Sequence, residues 1–512
     1  MKRTAIIAFG LALMSIRLSS ASAIQHSRSM TEESVFRARQ VLQEGINAMG
    51  GIDALRDLKN VTREMDGVRC DEGQGLRPIE HRSDYFHSAS APITNHPRMK
   101  SVRDMRGQRA FDHASAVLVG GQPREVRTVA DAKSSFTANY AARTLQVRSP
   151  AAIAPVRTGM FRRYPEALLQ SAWSRPGALR WLGESEYEGR KQQVISLADS
   201  DGAQITMSFD ARTKLLTKTE TVADNPVLGD IAIEVIYTDY RSVGGLTLPF
   251  RYVDKVGGVV LQDLKASAIT VNTDLPEGLF DPPADFSPIG APQASPLKKL
   301  ADDVYLIPGS YNTVFVAFKD YVLVIEAGQS VDSSRSAIAQ LKATVPGKPI
   351  RYLVSTHFHF DHVAGVRSYI AEGTTIITTP DSRRVIEEAA GREHILQPDA
   401  LSLSPRRPVI ETVVKKRVFE DGIHTVELYE IGPNPHCAEM IIGYLPREKI
   451  LFEADMLDIP EAGLGSAAQD TEHLDRAIKA LGLAVEQIIP VHGRPGTLED
   501  LKSALARRGA RN

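Results

Sequence analysis

At 512 residues the chain is too long for one ordinary hydrophobic core, and typical domain sizes divide it into two or three units. Apolar residues at 43% and charged residues at 24% match ordinary globular usage and exclude a fibrous or disordered class. Lys plus Arg at 61 against Asp plus Glu at 62 leave a formal net charge of −1, which offers no electrostatic footprint for nucleic acid, so no such partner is expected.

The first residues depart from this profile. Lys2 and Arg3 precede an apolar run over residues 5–16 and the small-residue site Ala21-Ser22-Ala23, which is the order of a cleavable secretory signal over residues 1–23. The run is too short to span a bilayer and Arg17 interrupts it, so no transmembrane helix is expected. Cleavage near Ala23 would place the protein in the periplasm or outside the cell. Only Cys70 and Cys437 follow, so no disulfide framework holds the fold. They fall in different predicted domains and are expected to stay unpaired.

Residues 24–290 read as a β-rich, α+β domain with an antiparallel sheet. It opens with a helix over 32–49, where Val35, Ala38, Val41, Leu42, Ile46 and Met49 recur at helical spacing until Gly50-Gly51 stops them. Alternating segments beginning at Gln204, Ile231 and Leu246, separated by turn clusters such as Gly244-Gly245, predict antiparallel strands. A second helix is expected over 160–172, whereas residues 83–160 carry no usable motif. Pro276, Pro282, Pro283, Pro288, Pro292 and Pro296 then crowd a short stretch, and a linker is expected over 291–297.

Residues 298–512 have an α/β texture. Strands are predicted at Thr313–Ala317, Val322–Ile325, Ile350–Val354 and Thr375–Thr378, with helices over 333–343 and 364–371. The third of these strands runs into His357-Phe358-His359-Phe360-Asp361-His362, four candidate metal ligands in six positions, expected on one short loop. Imidazole and carboxylate are donors suited to zinc, and a loop is needed to converge them on one side. Without a cation their desolvation and mutual repulsion would cost stability. The scattered His81, His87, His96, His113, His394, His424 and His473 read as ordinary core or surface residues.

On these residues the C-terminal part resembles the metallo-β-lactamase superfamily, whose hallmark is a His-x-His-x-Asp-His loop after a strand. His436 in Asn-Pro-His-Cys, Asp455 in Glu-Ala-Asp-Met and His492 in Pro-Val-His-Gly follow at intervals of 74, 19 and 37 residues and match its remaining ligands. The resemblance implies an αββα sandwich, two face-to-face sheets with helices outside. It further implies two Zn2+ ions, with iron or manganese as alternative occupants. His357, His359 and His436 would bind one, Asp361, His362 and His492 the other, and Asp455 would be shared. Such a pair lowers the pKa of a bridging water from about 15.7 to about 7, making hydroxide without a protein nucleophile. Asp361 is the candidate catalytic group that orients it and takes its proton.

Substrate class turns on Asp455, because β-lactamases of the superfamily usually carry cysteine or serine there. Aspartate looks like the thioesterase, lactonase, phosphodiesterase and alkylsulfatase branches, so an ester-like bond in a small molecule is expected, with β-lactam hydrolysis as the alternative. Glu326 stands where relatives commonly have aspartate, Tyr311 could border the pocket and Asn312 could serve a turn. The first domain resembles the periplasmic lipoprotein-carrier fold through Met49-Gly-Gly-Ile-Asp-Ala-Leu and Tyr240-Arg-Ser-Val-Gly-Gly-Leu. That implies a curved sheet able to hold a hydrophobic ligand, and leaves a carrier with a structural metal domain as a second alternative.

Overall fold

The helix Met30–Met49 starts at a capping box, with the Ser29 hydroxyl accepting from Glu32 N while the Glu32 carboxylate accepts from Ser29 N. It ends at Gly50, whose φ of 131° is one that a residue with a Cβ rarely adopts. Its buried stripe, Ala38, Val41, Leu42, Ile46 and Met49, lies against a long sheet. The computed structural model describes residues 28–70, 73–78, 94–95, 98–117, 123–289, 296–459 and 469–509. The predicted signal and positions 291–295 of the predicted linker lie outside the described residues. No described helix is long and apolar enough to cross a membrane.

The long sheet has fifteen strands between residues 60 and 289 and is an antiparallel meander, apart from the parallel pairing of Ser287–Ile289 with Thr144–Val147. The strand Asn60–Cys70 pairs with Val259–Val271 on one side and with Arg98–Asp104 on the other. One face is covered by Met30–Met49 and Pro165–Ser174, and Leu42, Ile46, Leu168, Leu169, Phe209 and Leu248 share that apolar core. Where one helix was expected over 160–172, there are two, Pro150–Arg162 and Pro165–Ser174. The cause is Pro165, which holds Tyr164 at φ −112° and ψ 130° and starts the second helix at its first position.

Residues 298–509 form two further sheets. Seven strands run from Lys298–Ala301 to Val409–Thr412, and six from Lys416–Glu420 to Gly496–Thr497. Alternation along single strands assigns the layers. In Val322–Ile325, Leu323 and Ile325 join Val426, Leu428, Ile441 and Phe452 between the sheets, while Val322 and Val324 face outward against Ile338, Leu341, Tyr369 and Ile370 of the helices. On the far side of the second sheet, Ile442, Leu451 and Ile488 pack against Leu474 and Ile478 of Gln469–Leu481 and Leu501 and Ala504 of Leu498–Gly509. The result is an αββα sandwich preceded by a β-rich region.

Two arms of the long sheet reach the sandwich. The turn between Leu216–Asn225 and Gly229–Val243 inserts Val227 into the sandwich's outer core, and Asp224 Oδ1 lies 2.6 Å from His394 Nδ1. Beside it, Asp230 Oδ2 accepts from Ile395 N at 2.7 Å and Leu396 N at 3.1 Å. The second arm, residues 73–78, follows the strand Asn60–Cys70 and crosses the rim where the candidate ligands gather.

Candidate metal centre

All seven candidate ligands sit at the ends of sandwich strands. His357 and His359 follow Ile350–Val354, His436 lies in the turn before Ile441–Leu445, Asp455 follows Ile450–Glu453, and His492 follows Gln487–Pro490. The expected loop differs in one respect, because Phe360–Val363 is a turn of helix with His359 as its N-cap. Val363 N bonds to His359 O at 3.0 Å and Ala364 N to Phe360 O at 2.8 Å, so Asp361 and His362 are carried on this short helix. Phe358 points away into the core beside Cys437 and Met440.

Asp455 is the hub. Its Oδ2 is 2.8 Å from His362 Nε2, 3.3 Å from His436 Nε2 and 3.5 Å from His357 Nε2, and its Oδ1 is 3.0 Å from His492 Nε2. His357, His359, His436 and Asp455 each offer a donor atom within 4.8 Å of the others. Asp361 Oδ2 stands 4.0 Å from His362 Nε2. His357, His359 and His362 are fully buried, whereas the side chains of Asp361 and His492 are each 34% exposed and mark the mouth.

A ring of partners aims these groups. Glu326 is completely buried, and its Oε2 is 3.1 Å from His362 Nδ1. Its Oε1 accepts from the Thr356 hydroxyl, which lies 3.0 Å from His357 Nδ1. One carboxylate thus orients two imidazoles, leaving the Nε2 atoms to face Asp455. Glu326 and Asp455 both have left-handed backbone, at φ 72° and 60°, a strain of about 1 kcal/mol or more each. Asp361 accepts from the Tyr311 hydroxyl through Oδ2 and from Gln74 Nε2 through Oδ1, at 2.6 Å in the latter case. Asn312 is buried and braces the final ligand's turn, donating to Pro490 O at 2.8 Å and Gly493 O at 2.7 Å.

The electrostatics suit a cation. Burial and the neighbouring imidazoles push His357 well below its usual pKa, and burial with His436 brings His359 down to about 3, so both are neutral, the form that ligates metal. Burial also opposes charge on His362, but Asp455 and Glu326 outweigh it and hold that imidazole well above its usual value. Burial likewise works against the Asp455 carboxylate, and the surrounding histidines overcome it. Two buried atoms test whether the donor set fits a metal: His359 Nδ1 has no hydrogen-bond partner, and Asp455 Oδ1 makes none of hydrogen-bond geometry despite its nearness to His492. Atoms left in this state cost stability unless a cation satisfies them. The donors fit one.

Sequence reasoning missed Thr356, Glu453, Gln74 and Gly75. Glu453 is completely buried and its Oε2 accepts from Met456 N at 2.9 Å and Leu457 N at 3.2 Å, fixing the turn that carries Asp455, while burial pushes its carboxyl up to about 8. A glutamate two positions before a candidate ligand was the available signal. Cys437 is buried and its Sγ meets Glu439 O at 3.1 Å; burial pushes the thiol up, and no disulfide joins it to Cys70. Of the histidines given no role, His113 meets Glu125 at 2.8 Å and His473 meets Ile431 O at 2.7 Å. His424 is buried, His394 joins the two regions, and His81, His87 and His96 lie outside the described residues.

Parts of the chain are similar to known proteins. Residues 306–492 match the family model of the metallo-beta-lactamase superfamily. A linear primary-alkylsulfatase from a Pseudomonas species is 39% identical over 51 residues, which is 10% of this chain and 10% of that relative's length. Among solved structures, a metallo-beta-lactamase from Pontibacter korlensis is 20% identical, with 42% of this chain and 98% of that one covered at a TM-score of 0.33. One from Hirschia baltica is also 20% identical, with 41% and 96% covered at 0.32. The matched stretch contains all seven ligand-type side chains, Asp455 among them, and residues 306–492 of this chain belong to the metallo-beta-lactamase superfamily.

Proposed function

We propose that the protein is a secreted or periplasmic, dinuclear zinc-dependent hydrolase of an ester-like bond in a small molecule, with a sulfate ester as the first class to test. The observation that carries this reading is the gathering of His357, His362, His436 and His492 within 3.5 Å of the Asp455 carboxylate, with His359 beside them and Asp361 4.0 Å from His362. A closed structural zinc site uses four ligands, and seven leave room for a second ion and a substrate. Bound zinc would supply an activated water and polarise the substrate oxygen.

The chain's own groups do the rest. His357, His359 and His436 would hold one ion and Asp361, His362 and His492 the other, with Asp455 between them. Asp361 stands at the mouth with Tyr311 and Gln74 on its two oxygens, placed to accept a proton from attacking water at Oδ1 or Oδ2. Burial of His357, His359 and His362 excludes bulk water from the inner wall, so substrate approaches past Asp361 and His492. Aspartate rather than cysteine or serine at 455 favours ester-like substrates over β-lactams, and the short alkylsulfatase similarity is a reason to test sulfate esters before lactones, thioesters and phosphodiesters.

The test is metal analysis of the purified protein followed by an assay panel of alkyl sulfate, lactone, thioester, phosphodiester and β-lactam substrates. Two equivalents of zinc and turnover of the alkyl sulfate are expected. Protein that takes up no zinc, iron or manganese would sink the reading.

A further inference from the structure

The arm at residues 73–78 belongs to the long sheet by connectivity and to the metal centre by contact. Gly75 O lies 2.8 Å from His359 Nε2, and Gly75 N lies 3.1 Å from the same atom. Gln74 Nε2 donates to Asp361 Oδ1 at 2.6 Å. Leu76 O accepts at 2.7 Å from Ala438 N, two residues after His436, and Arg77 pairs with Asp381 at 2.9 Å. These six residues therefore meet two ligand-bearing segments, the one with His359 and Asp361 and the one with His436. Gly73 makes the approach feasible: its φ is 70°, and a Cβ there would lie 2.1 Å from Phe360 Cγ, beside the ligands.

The two nitrogens of His359 are thereby distinguished. Nε2 is engaged by the Gly75 backbone, while Nδ1 is buried without a partner. Nε2 meets both faces of the Gly75 peptide, accepting from its N–H or donating to its carbonyl according to tautomer, so Nδ1 is the nitrogen that the protein leaves unengaged beside His357, His436 and Asp455. In His357 the arrangement is reversed, with Nδ1 toward Thr356 and Nε2 toward Asp455.

We propose that Gly75 and Gln74 are positioning residues of the metal centre, supplied by the N-terminal sheet: the Gly75 peptide holds the His359 ring by Nε2 and leaves Nδ1 to ligate, and the Gln74 amide orients Asp361. The sandwich alone lacks these two partners, so metal affinity depends on the first domain. The inference rests on the metal-centre reading above.

The experiment uses the full chain in three variants. Gly73→Val drives the arm off Phe360, Gln74→Ala removes one amide, and Asp230→Ala loosens the other arm without touching the site. Zn2+ affinity is measured by chelator competition, the visible spectrum is recorded with Co2+ as probe, and thermal unfolding with chelator present monitors the fold. Loss of an outer partner weakens metal binding about 10- to 100-fold, and that loss, with an altered Co2+ spectrum, is expected for Gly73→Val and Gln74→Ala but not for Asp230→Ala. Gln74→Ala removes only one part-buried amide, so it keeps the test decisive if Gly73→Val does not fold. Wild-type binding with both arm variants matching it in affinity and spectrum overturns this inference alone. A wild-type protein that binds no metal overturns the metal-centre reading and this inference with it.

Discussion

The long sheet and the sandwich both bury ionisable side chains, but they balance them in opposite ways. In the sheet, fully buried Arg63 meets Glu166 at 2.7 Å, donates to the Tyr252 hydroxyl at 2.9 Å and lies 4.0 Å over the Tyr164 ring. Burial opposes its charge, and Glu166 restores it. At the candidate metal centre of the sandwich like donors meet instead: His357 Nε2 and His436 Nε2 are 3.3 Å apart. Opposite charges in contact complete a core, whereas like donors in contact call for a cation from outside. Burial of polar groups is therefore no mark of function by itself; the sign of their neighbours is.

The largest effect that tests this contrast is expected at Asp455. Asp455→Ala removes the group shared by both halves of the centre, so metal analysis should find both ions depleted and activity lost by more than the roughly 100-fold that marks the upper end for an outer partner. Depletion of one ion alone would mean that Asp455 does not bridge. Arg63→Ala should behave differently. It strands Glu166 in the core and is expected to destabilise the protein by about 3–5 kcal/mol in denaturant titrations. The metal content of the folded fraction should be unchanged. Replacing Arg63 by Met and Glu166 by Leu together should restore most of that stability, as expected of a pair that is only structural.

A smaller effect should follow from Glu326→Gln, which keeps the volume but removes the charge holding His362 directly and His357 through Thr356. Zinc affinity by chelator competition should fall about 10- to 100-fold with little change in unfolding measured without metal. A large loss of stability in the metal-free protein would move Glu326 from the functional class to the structural one.

The contrast also accounts for what was readable in the chain. The candidate ligands were legible because few residue types bind zinc and because His357, His359, Asp361 and His362 fall on one short segment. The strands Thr313–Ala317, Val322–Ile325, Ile350–Val354 and Thr375–Thr378 have the expected bounds, since buried apolar runs there end sharply at polar or turn residues. The outer partners were not legible. A backbone carbonyl such as that of Gly75 can come from any residue, and its contact with His359 spans 284 positions. The stretch Arg98–Asp104 hid its strand because Arg103 is buried in it, bidentate to Asp112 at 2.9 Å, where a hydrophobicity pattern requires an apolar residue. Tyr164-Pro165, by contrast, was a visible signal for splitting the helix expected over 160–172.

The smallest expected effect asks whether pairing, rather than location, separates the two kinds of burial. Arg367 lies inside the sandwich, yet it is nearly fully buried against Asp399, with Nε to Oδ2 at 2.6 Å and Nη2 to Oδ1 at 2.9 Å. Burial opposes the Asp399 carboxylate, but Arg367 and the Ser402 amide hold it well below the usual carboxylate range. A carboxyl whose folded pKa is depressed adds stability that is complete above its unfolded value of about 3.9 and is lost as pH falls toward the lower folded value. Asp399→Asn should therefore cost about 1.5 kcal/mol at neutral pH. The difference from wild type should narrow as urea titrations move below about pH 4. A pH-independent difference would show that the carboxylate charge contributes nothing, and that Arg367 is held by its bonds to Ala389 O and Ser402 instead.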